Sequence, residues 1–172
     1  MPSRSTNRNA GRASLAGVQS IHAAITINRP IAEVWEYVSD IRNDVQWFSG
    51  VKAVRPLSAV ERGAGAVLEV DTHLLGWRFT SHLRITDFVP PGRMTMLASH
   101  SAINYSATYR LEPANEGTGT TFMLDALVIA GSYYRLLGPA FAPLLRVALR
   151  RRFAVLKQVL ENANDRHGQA SR

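Results

Sequence analysis

The sequence contains no cysteine, which excludes a disulfide framework, a thiolate nucleophile and a cysteine-ligated metal. No apolar run approaches the roughly 18 uninterrupted residues of a membrane-spanning helix, and the first residues lack the hydrophobic centre of a secretory signal. No residue pattern typical of a metal site or a phosphate-binding loop stands out either. We therefore expect a soluble, cytoplasmic protein that uses no metal and no other cofactor.

Acidic residues are missing from positions 1–20, which carry three arginines, and residues 133–172 hold eight basic residues against Glu161 and Asp165. The three segments of the chain contribute +3, −2 and +6 to the formal net charge of +7. Basic ends favour an anionic partner, either a membrane surface or a nucleic acid. We prefer a simpler interpretation, a solvated helix face, and do not expect nucleic-acid binding because the C-terminal segment lacks interleaved aromatic residues for base stacking.

With 172 residues and 46% hydrophobic content, the chain has enough apolar surface for one well-packed domain. Residues 1–20 have almost nothing to bury and are predicted to form a disordered basic tail. Their composition also resembles an organellar transit peptide, although the apolar face of such a peptide is missing. We place the domain at residues 21–163 and a flexible tail at residues 164–172.

From Ile21 onwards, apolar residues alternate with others over eight positions, which predicts a half-buried strand. Asn28 lies where a helix cap is expected, and Pro30 fits a first helical turn because its missing N–H would be unpaired there. Helically spaced apolar residues follow at Ile31, Val34, Trp35 and Val38. A second short helical turn is predicted from Asp40, which can cap it, to Trp47.

Residues 51–129 predict about six further strands in an antiparallel meander, separated by turn-forming residues at 63–65, 76, 90–92, 101–102 and 116–119. A long helix is predicted from after Ser132 to about Asn162, with a start delayed or kinked by Pro139 and Pro143. Its apolar stripe consists of Leu145, Leu149, Phe153, Leu156, Leu160 and Ala163.

This order of elements resembles the helix-grip fold of the START-like superfamily, and within it the polyketide cyclase/dehydrase and lipid-transport group. The resemblance covers residues 21–162 and rests on the helix start at Pro30 with Val34 and Trp35, the spacing from Asp40 to Trp47, the pair Gly119-Thr120 and the terminal helix. It implies an α+β fold in which a curved antiparallel sheet of about seven strands wraps around the C-terminal helix. Family members bind or transform hydrophobic molecules in a cavity between sheet and helix and share no single catalytic residue. The resemblance therefore implies a pocket and leaves the reaction open.

A two-residue turn at Leu75 and Gly76 sets the register of the surrounding hairpin. It places three pairs on one polar face: His73 with Arg78, Asp71 with Thr80, and Glu69 with His82. Because that face should meet solvent, this apparent catalytic cluster is predicted to consist of exposed cross-strand pairs. The opposite, interior face carries Leu68, Val70, Trp77, Phe79, Ser81 and Leu83.

A second turn, at Ser101 and Ala102, places Met94, Met96, Ala98 and His100 on the same inward face as Ile103, Tyr105, Ala107 and Tyr109. Small side chains there leave space for a ligand cavity of ~300–1,000 Å³. The alternative is a close-packed core filled by the stripe of the last helix. The predicted ligand contacts are Trp47, Phe48, Trp77, Phe79, Ser81, Met94, Met96, His100, Tyr105, Tyr109, Leu145 and Leu149.

Three residues are candidates for catalysis. His100 could exchange protons at cellular pH and Tyr105 could donate to a carbonyl or enolate oxygen, although we favour a turn cap for the histidine and a core role for the tyrosine. Asp125, between apolar neighbours, would have a raised pKa if it were buried. Alternatively it faces outward and pairs with Arg110.

Two functional classes follow. The first is a carrier or sensor for a small hydrophobic molecule such as a lipid, isoprenoid or polyketide, with Trp47 and Phe48 either gating the cavity or anchoring the short helix. Its exposed arginines Arg146, Arg150 and Arg151 would transiently contact an anionic membrane or simply be solvated. The second is a polyketide cyclase or dehydratase that uses the three catalytic candidates. We prefer the carrier because the inward face is mostly apolar.

Overall fold

Seven antiparallel strands form one sheet in the order β1-β7-β6-β5-β4-β3-β2. The computed structural model describes residues 18–74, 77–99, 103–130 and 141–169. The strands are β1 (Val18–Ile27), β2 (Val51–Pro56), β3 (Val67–Leu74), β4 (Trp77–Val89), β5 (Arg93–Ser99), β6 (Ile103–Ala114) and β7 (Gly119–Ala130). The helices are α1 (Ile31–Val38), a 3-10 turn (Ile41–Asn43), α2 (Asp44–Trp47) and α3 (Phe141–Gln169). The predicted α+β fold, with six strands after the two short helices and a long terminal helix, is confirmed.

The ends of the folded region differ from the predicted domain boundaries. β1 begins at Val18, three residues inside the segment predicted to be a tail, because Val18 to Ser20 continue the ladder with β7 at Ile129 to Leu127. Strand pairing thus extends β1 without a hydrophobic signal in its first residues. α3 continues to Gln169, beyond the predicted end of the domain. The rest of the two predicted tails lies outside the described residues.

Two short helices carry the chain from β1 at one edge of the sheet to β2 at the other. Asp40 caps the 3-10 turn as predicted, since its carboxylate accepts the N–H of Arg42 at 3.0 Å. The prediction that Asn28 caps α1 is wrong, because Pro30 occupies the cap position and no side chain caps this helix. Asn28 instead donates its backbone N–H to Glu161 Oε1 at 2.7 Å, so it joins β1 to α3.

The C-terminal half of α3 is held over the end of β1 by polar contacts. Arg29 donates to the carbonyl oxygens of Leu160 and Glu161 at 3.1 and 2.5 Å, and Lys157 donates to the carbonyl of Thr26 at 2.8 Å. These bonds orient the helix so that its apolar stripe faces the sheet. The buried members of the stripe are Leu149, Phe153, Leu156 and Leu160.

The hydrophobic core lies between α3, α2 and the concave face of the sheet. Trp47, Phe122 and Phe153 form its centre, with ring centroids 5.2 to 6.3 Å apart in tilted or edge-on arrangements that favour aromatic attraction. Register shifts at Val51/Ala53 and at Ile85/Asp87 bend the strands at this face. Within the described ranges, no helix has the length and hydropathy needed to cross a bilayer.

Candidate ligand-binding site

The outer face of the sheet carries the acids and histidines that look like a cluster in the sequence. The pairs of Glu69 with His82, Asp71 with Thr80 and His73 with Arg78 are as predicted. Arg55 on β2 donates to Glu69 at 3.0 Å and to Asp71 at 2.5 Å. The hydrogen bond from Thr80, followed by that from Arg55, lowers the pKa of Asp71. This surface is a solvated ion-pair network, as the register indicated.

The inner face of β5 and β6 also has the predicted register. Met94 lies opposite Tyr109, Met96 opposite Ala107, and Ala98 opposite Tyr105. Phe79 and Ser81 on β4, and Leu149 on α3, lie on the interior side as well. The remaining predicted contacts, namely His100 and the side chains of Trp77 and Leu145, lie outside the described residues.

Small side chains form a diagonal band across the centre of the inner face. Ala107 lies directly opposite Ala126, and Ser81 and Ala98 continue the band on β4 and β5. At one end of the face Tyr105 and the residues Ala126 and Val128 remain partly exposed, whereas Tyr109, Leu111 and Phe122 at the other end are buried. The interior therefore has a closed, aromatic end and an end with residual access to water.

Asp44 is the interior residue that the sequence reasoning missed. It is the first residue of α2 and is only 7% exposed. Burial raises its pKa well above the ordinary value of 3.8, while the nearby Trp47 indole lowers it and Asp40 raises it further. The Trp47 indole lowers the pKa of Asp44 as a nearby hydrogen-bond donor, although neither Asp44 Oδ1 nor Trp47 Nε1 has a partner in strict hydrogen-bond geometry. The sequence signal that could have identified Asp44 is its position three residues before Trp47, whose indole N–H can reach a carboxyl on the same helical turn.

Two tyrosines on β6 share this environment. Burial, followed by the charge of Asp44, raises the pKa of Tyr105 to about 12 and that of Tyr109 well above 10.0. At neutral pH both tyrosines are therefore protonated, and burial favours the protonated form of Asp44 as well. Each protonated group can donate a hydrogen bond in the apolar interior.

Arg152 on α3 is a second interior group, which was not identified from the sequence. It is 8% exposed, and its guanidinium carbon lies 4.0 Å from the centre of the Phe48 ring. The neighbouring Arg150 and Arg151 are exposed, as predicted. A helix of 3.6 residues per turn places residue 152 beside Leu149 and Leu156 on the inner stripe, so the arginine run does not lie on one face.

Asp125 faces outward from β7. Its carboxylate accepts from Arg110 on β6 and lies 2.6 Å from Nδ1 of His22 on β1. Of the two interpretations of Asp125 drawn from the sequence, the outward ion pair with Arg110 describes this geometry. The side chain is directed away from the inner face.

Trp47 and Phe48 occupy different environments. Trp47 is 1% exposed and packs edge-on against Phe48 at 5.4 Å. Phe48 is half-buried and lies between Trp47 and Arg152. Trp47 therefore anchors α2, and Phe48 is the residue of this pair that remains accessible.

A separate groove of about 500 Å³ lies on the outside of the domain, lined by Ala32, Trp35, Glu36, Arg62, Phe88, Pro90 and Pro91. Arg62 crosses it and binds Glu36 at 2.8 Å and Ser39 at 2.5 Å. Polar residues of the groove therefore pair with one another through Arg62. In the described part of the chain, no three histidine or acidic side chains are grouped to hold a metal ion.

A seven-stranded antiparallel sheet with a long C-terminal helix packed on it and two short helices after the first strand is the START-like fold. The chain belongs to the polyketide cyclase/dehydrase and lipid transport family, whose model matches residues 18–165. No curated protein matches it.

Solved structures show the same fold at low sequence identity. A START superfamily protein from Mycobacterium smegmatis is 13% identical, with a TM-score of 0.67 over 84% of this chain and 98% of that chain. The ZhuI aromatase/cyclase from a Streptomyces species is 17% identical, with a TM-score of 0.66 over 87% of this chain and 95% of that chain. A conserved protein from Geobacillus kaustophilus is 14% identical, with a TM-score of 0.67 over 84% and 97%.

Proposed function

We propose that the protein binds a small hydrophobic molecule, such as a lipid, an isoprenoid or a polyketide-like compound, between the inner face of the sheet and α3, and acts as a carrier or sensor. Family membership supports this proposal. The observation that carries it is Ser81 Oγ, a buried hydroxyl without a partner on the apolar inner face of the sheet, together with Asp44 Oδ1 and Trp47 Nε1 on α2, which have no partner within hydrogen-bond geometry. A buried polar group left unpaired costs about 1–3 kcal/mol. A ligand with a hydroxyl or carbonyl group would satisfy such atoms.

The proposed contacts divide by chemistry. Met94, Met96, Leu149 and Phe79 supply apolar surface, and the methionines adapt to irregular shapes. Ser81, Tyr105 and Tyr109 supply hydrogen bonds, with Phe48 at the accessible edge. His100, Trp77 and Leu145 remain predicted contacts.

A second candidate function, cyclisation or dehydration of a polyketide-like substrate, is favoured by the interior acid. Aldol-type chemistry needs a donor that protonates a carbonyl oxygen as a carbon–carbon bond forms. A carboxyl whose pKa is raised by burial suits that role. In this candidate Asp44 is the donor and Tyr105 positions the carbonyl, whereas the outward Asp125 has no part.

Native mass spectrometry of the gently purified protein, followed by denaturing extraction, tests the binding proposal. We expect one equivalent of a hydrophobic compound that is released intact. An apo mass, together with no binding of a neutral fluorescent probe such as phenylnaphthylamine, would contradict it.

The same compound then distinguishes the two candidates. A carrier returns it unchanged after prolonged incubation. An enzyme converts it, and Asp44→Asn and Tyr105→Phe should then abolish conversion while leaving binding of the neutral probe intact. Chromatography with mass detection separates these outcomes.

The exposed arginines of α3 extend the carrier proposal to delivery at a membrane. Arg150 and Arg151 are solvent-exposed and, with Arg146, would be attracted to anionic lipid. Sedimentation with phosphatidylserine vesicles should remove wild-type protein from solution at low salt, and Arg150→Gln with Arg151→Gln should leave it in solution. Equal sedimentation of the two proteins would remove this part of the proposal.

A further inference from the structure

Arg152 is a buried cation that has an aromatic neighbour but no anionic partner in the part of the chain that the structure describes. Its guanidinium stacks on Phe48 at 4.0 Å, a contact that favours a cation without neutralising it. Among the described residues, no carboxylate lies within ion-pair distance of it. The partly buried Arg29 and Arg62, by contrast, donate to carbonyl, hydroxyl or carboxylate oxygens.

The charge of this guanidinium persists despite its burial. Desolvation lowers its pKa, but an arginine remains protonated throughout the physiological range. The interior acid one turn before Phe48 does not pair with it among the described residues, since Asp44 Oδ1 has no hydrogen-bond partner. A buried charge without a counter-ion is expensive, so the fold carries a cost at this position.

The guanidinium keeps access on the side that Gly50 does not crowd. Gly50 is buried, and a Cβ atom at this position would lie 3.3 Å from Arg152 Nη2, 3.3 Å from the carbonyl oxygen of His73 and 3.7 Å from Thr72 Cγ2. These contacts are tight, so a side chain at Gly50 would press on Nη2, whereas the nitrogens of Arg152 are not among the fully buried polar atoms without a partner. The stacked Phe48 ring covers one face of the guanidinium and leaves its N–H edges free to donate.

We propose that Arg152 binds the anionic head, a carboxylate or a phosphate, of an amphiphilic ligand whose apolar part lies along the inner face of the sheet. This inference rests on the proposed function and narrows the ligand class from any hydrophobic molecule to a hydrophobic acid. The planar fork of arginine pairs with two oxygens of either group at once. Ligand binding would then supply the missing counter-ion.

Displacement of phenylnaphthylamine, a neutral probe, by three ligands with the same chain tests the inference. Wild-type protein should bind dodecanoate or dodecyl phosphate at least roughly tenfold more tightly than dodecanol. The preference between the two anions identifies the head group. Arg152→Met should abolish the preference and leave the affinity for dodecanol within about twofold, because it retains apolar contact without charge.

Matched variants make the result specific. Arg84→Met removes an exposed charge from the outer face of β4 and should behave as wild type. Arg152→Lys should retain part of the preference, since it keeps the charge but not the fork. Gly50→Ala crowds Nη2 without altering charge and should weaken only the anionic ligands. Thermal unfolding establishes that each variant is folded.

Equal affinity for all three ligands in wild-type protein would overturn the inference and leave the proposed function standing. An anion preference that survives in Arg152→Met would also overturn it. If neither the probe nor dodecanol binds, the proposed function itself fails, and the inference fails with it.

Discussion

Ala107 and Ala126 face each other directly across β6 and β7, so these two strands present only methyl groups to the interior at this point. Ala126 remains partly exposed although it lies on the inner face. A larger side chain at this pair would reduce ligand binding if the interior holds an open cavity, and would reduce stability if the interior is a packed core.

Ala126→Leu should therefore weaken binding of the neutral probe by roughly tenfold or more and leave the free energy of unfolding within about 1 kcal/mol of wild type. Added methylenes occupy open space at little cost. Fluorescence titration and urea unfolding measure the two quantities. Ala24→Leu, on the exposed side of β1, is the matched control and should change neither. A stability loss of about 1–3 kcal/mol from overpacking would instead indicate a filled core.

Arg152→Met should raise the free energy of unfolding of the ligand-free protein by about 1 kcal/mol. The substitution removes an uncompensated buried charge and keeps an apolar side chain of similar length, and this gain is only partly offset by loss of the contact with Phe48. Guanidinium chloride unfolding of the delipidated protein measures it. A clear loss of stability would show that the guanidinium has a structural partner.

Asp44→Asn should change the pH dependence of stability. Because the folded pKa of Asp44 is raised above 3.8, the folded protein retains a proton that the unfolded chain releases as the pH rises. The contribution of Asp44 is thus complete below about pH 3.8 and declines above it, at up to about 1.4 kcal/mol per pH unit until the folded pKa is reached. The asparagine variant has no such titration.

The stability of wild type relative to Asp44→Asn should therefore fall as the pH rises above about 4 and level off once the folded pKa is passed. Urea unfolding of both proteins across this range measures the difference, in which the other titrating groups cancel. Parallel curves of stability against pH for the two proteins would mean that Asp44 has the same pKa in the folded and unfolded chains. The proposal that Asp44 is an interior proton donor would then fail.

Asp125→Asn should have a small effect. The carboxylate pairs with Arg110 and His22 on a solvated face, and exposed pairs contribute about 0–1 kcal/mol. We expect a stability loss below about 1 kcal/mol and unchanged probe binding. Asp71→Asn, in the corresponding outer pair with Arg55, is a matched comparison. Loss of ligand binding in Asp125→Asn but not in Asp71→Asn would show that Asp125 belongs to the binding site.

The strand register could be predicted from the sequence because the side-chain period of a strand is two. Once the turns at residues 75–76 and 101–102 were placed, one apolar face and one polar face followed, and a shift by one residue would have exposed the core. The outward cluster around Glu69 and Asp71 and the inward set around Met96 and Tyr105 were assigned in this way. Outward pairing of Asp125 with Arg110 remained one of two alternatives, because an acid in an apolar run fits either face.

The helical residues of the site could not be assigned from the sequence. Arg152 belongs to a run of three arginines that local charge places in water, and Asp44 begins a helix where acids are common. Their burial depends on Phe48, on the missing side chain of Gly50 and on two tyrosines some sixty residues away along the chain. The sequence by itself determined the succession of strands and helices along the chain and the inward face of the strands, since both follow from local periodicity and turn residues. Only the tertiary structure decided which charged groups lie inside, because desolvation depends on every element packed around a group.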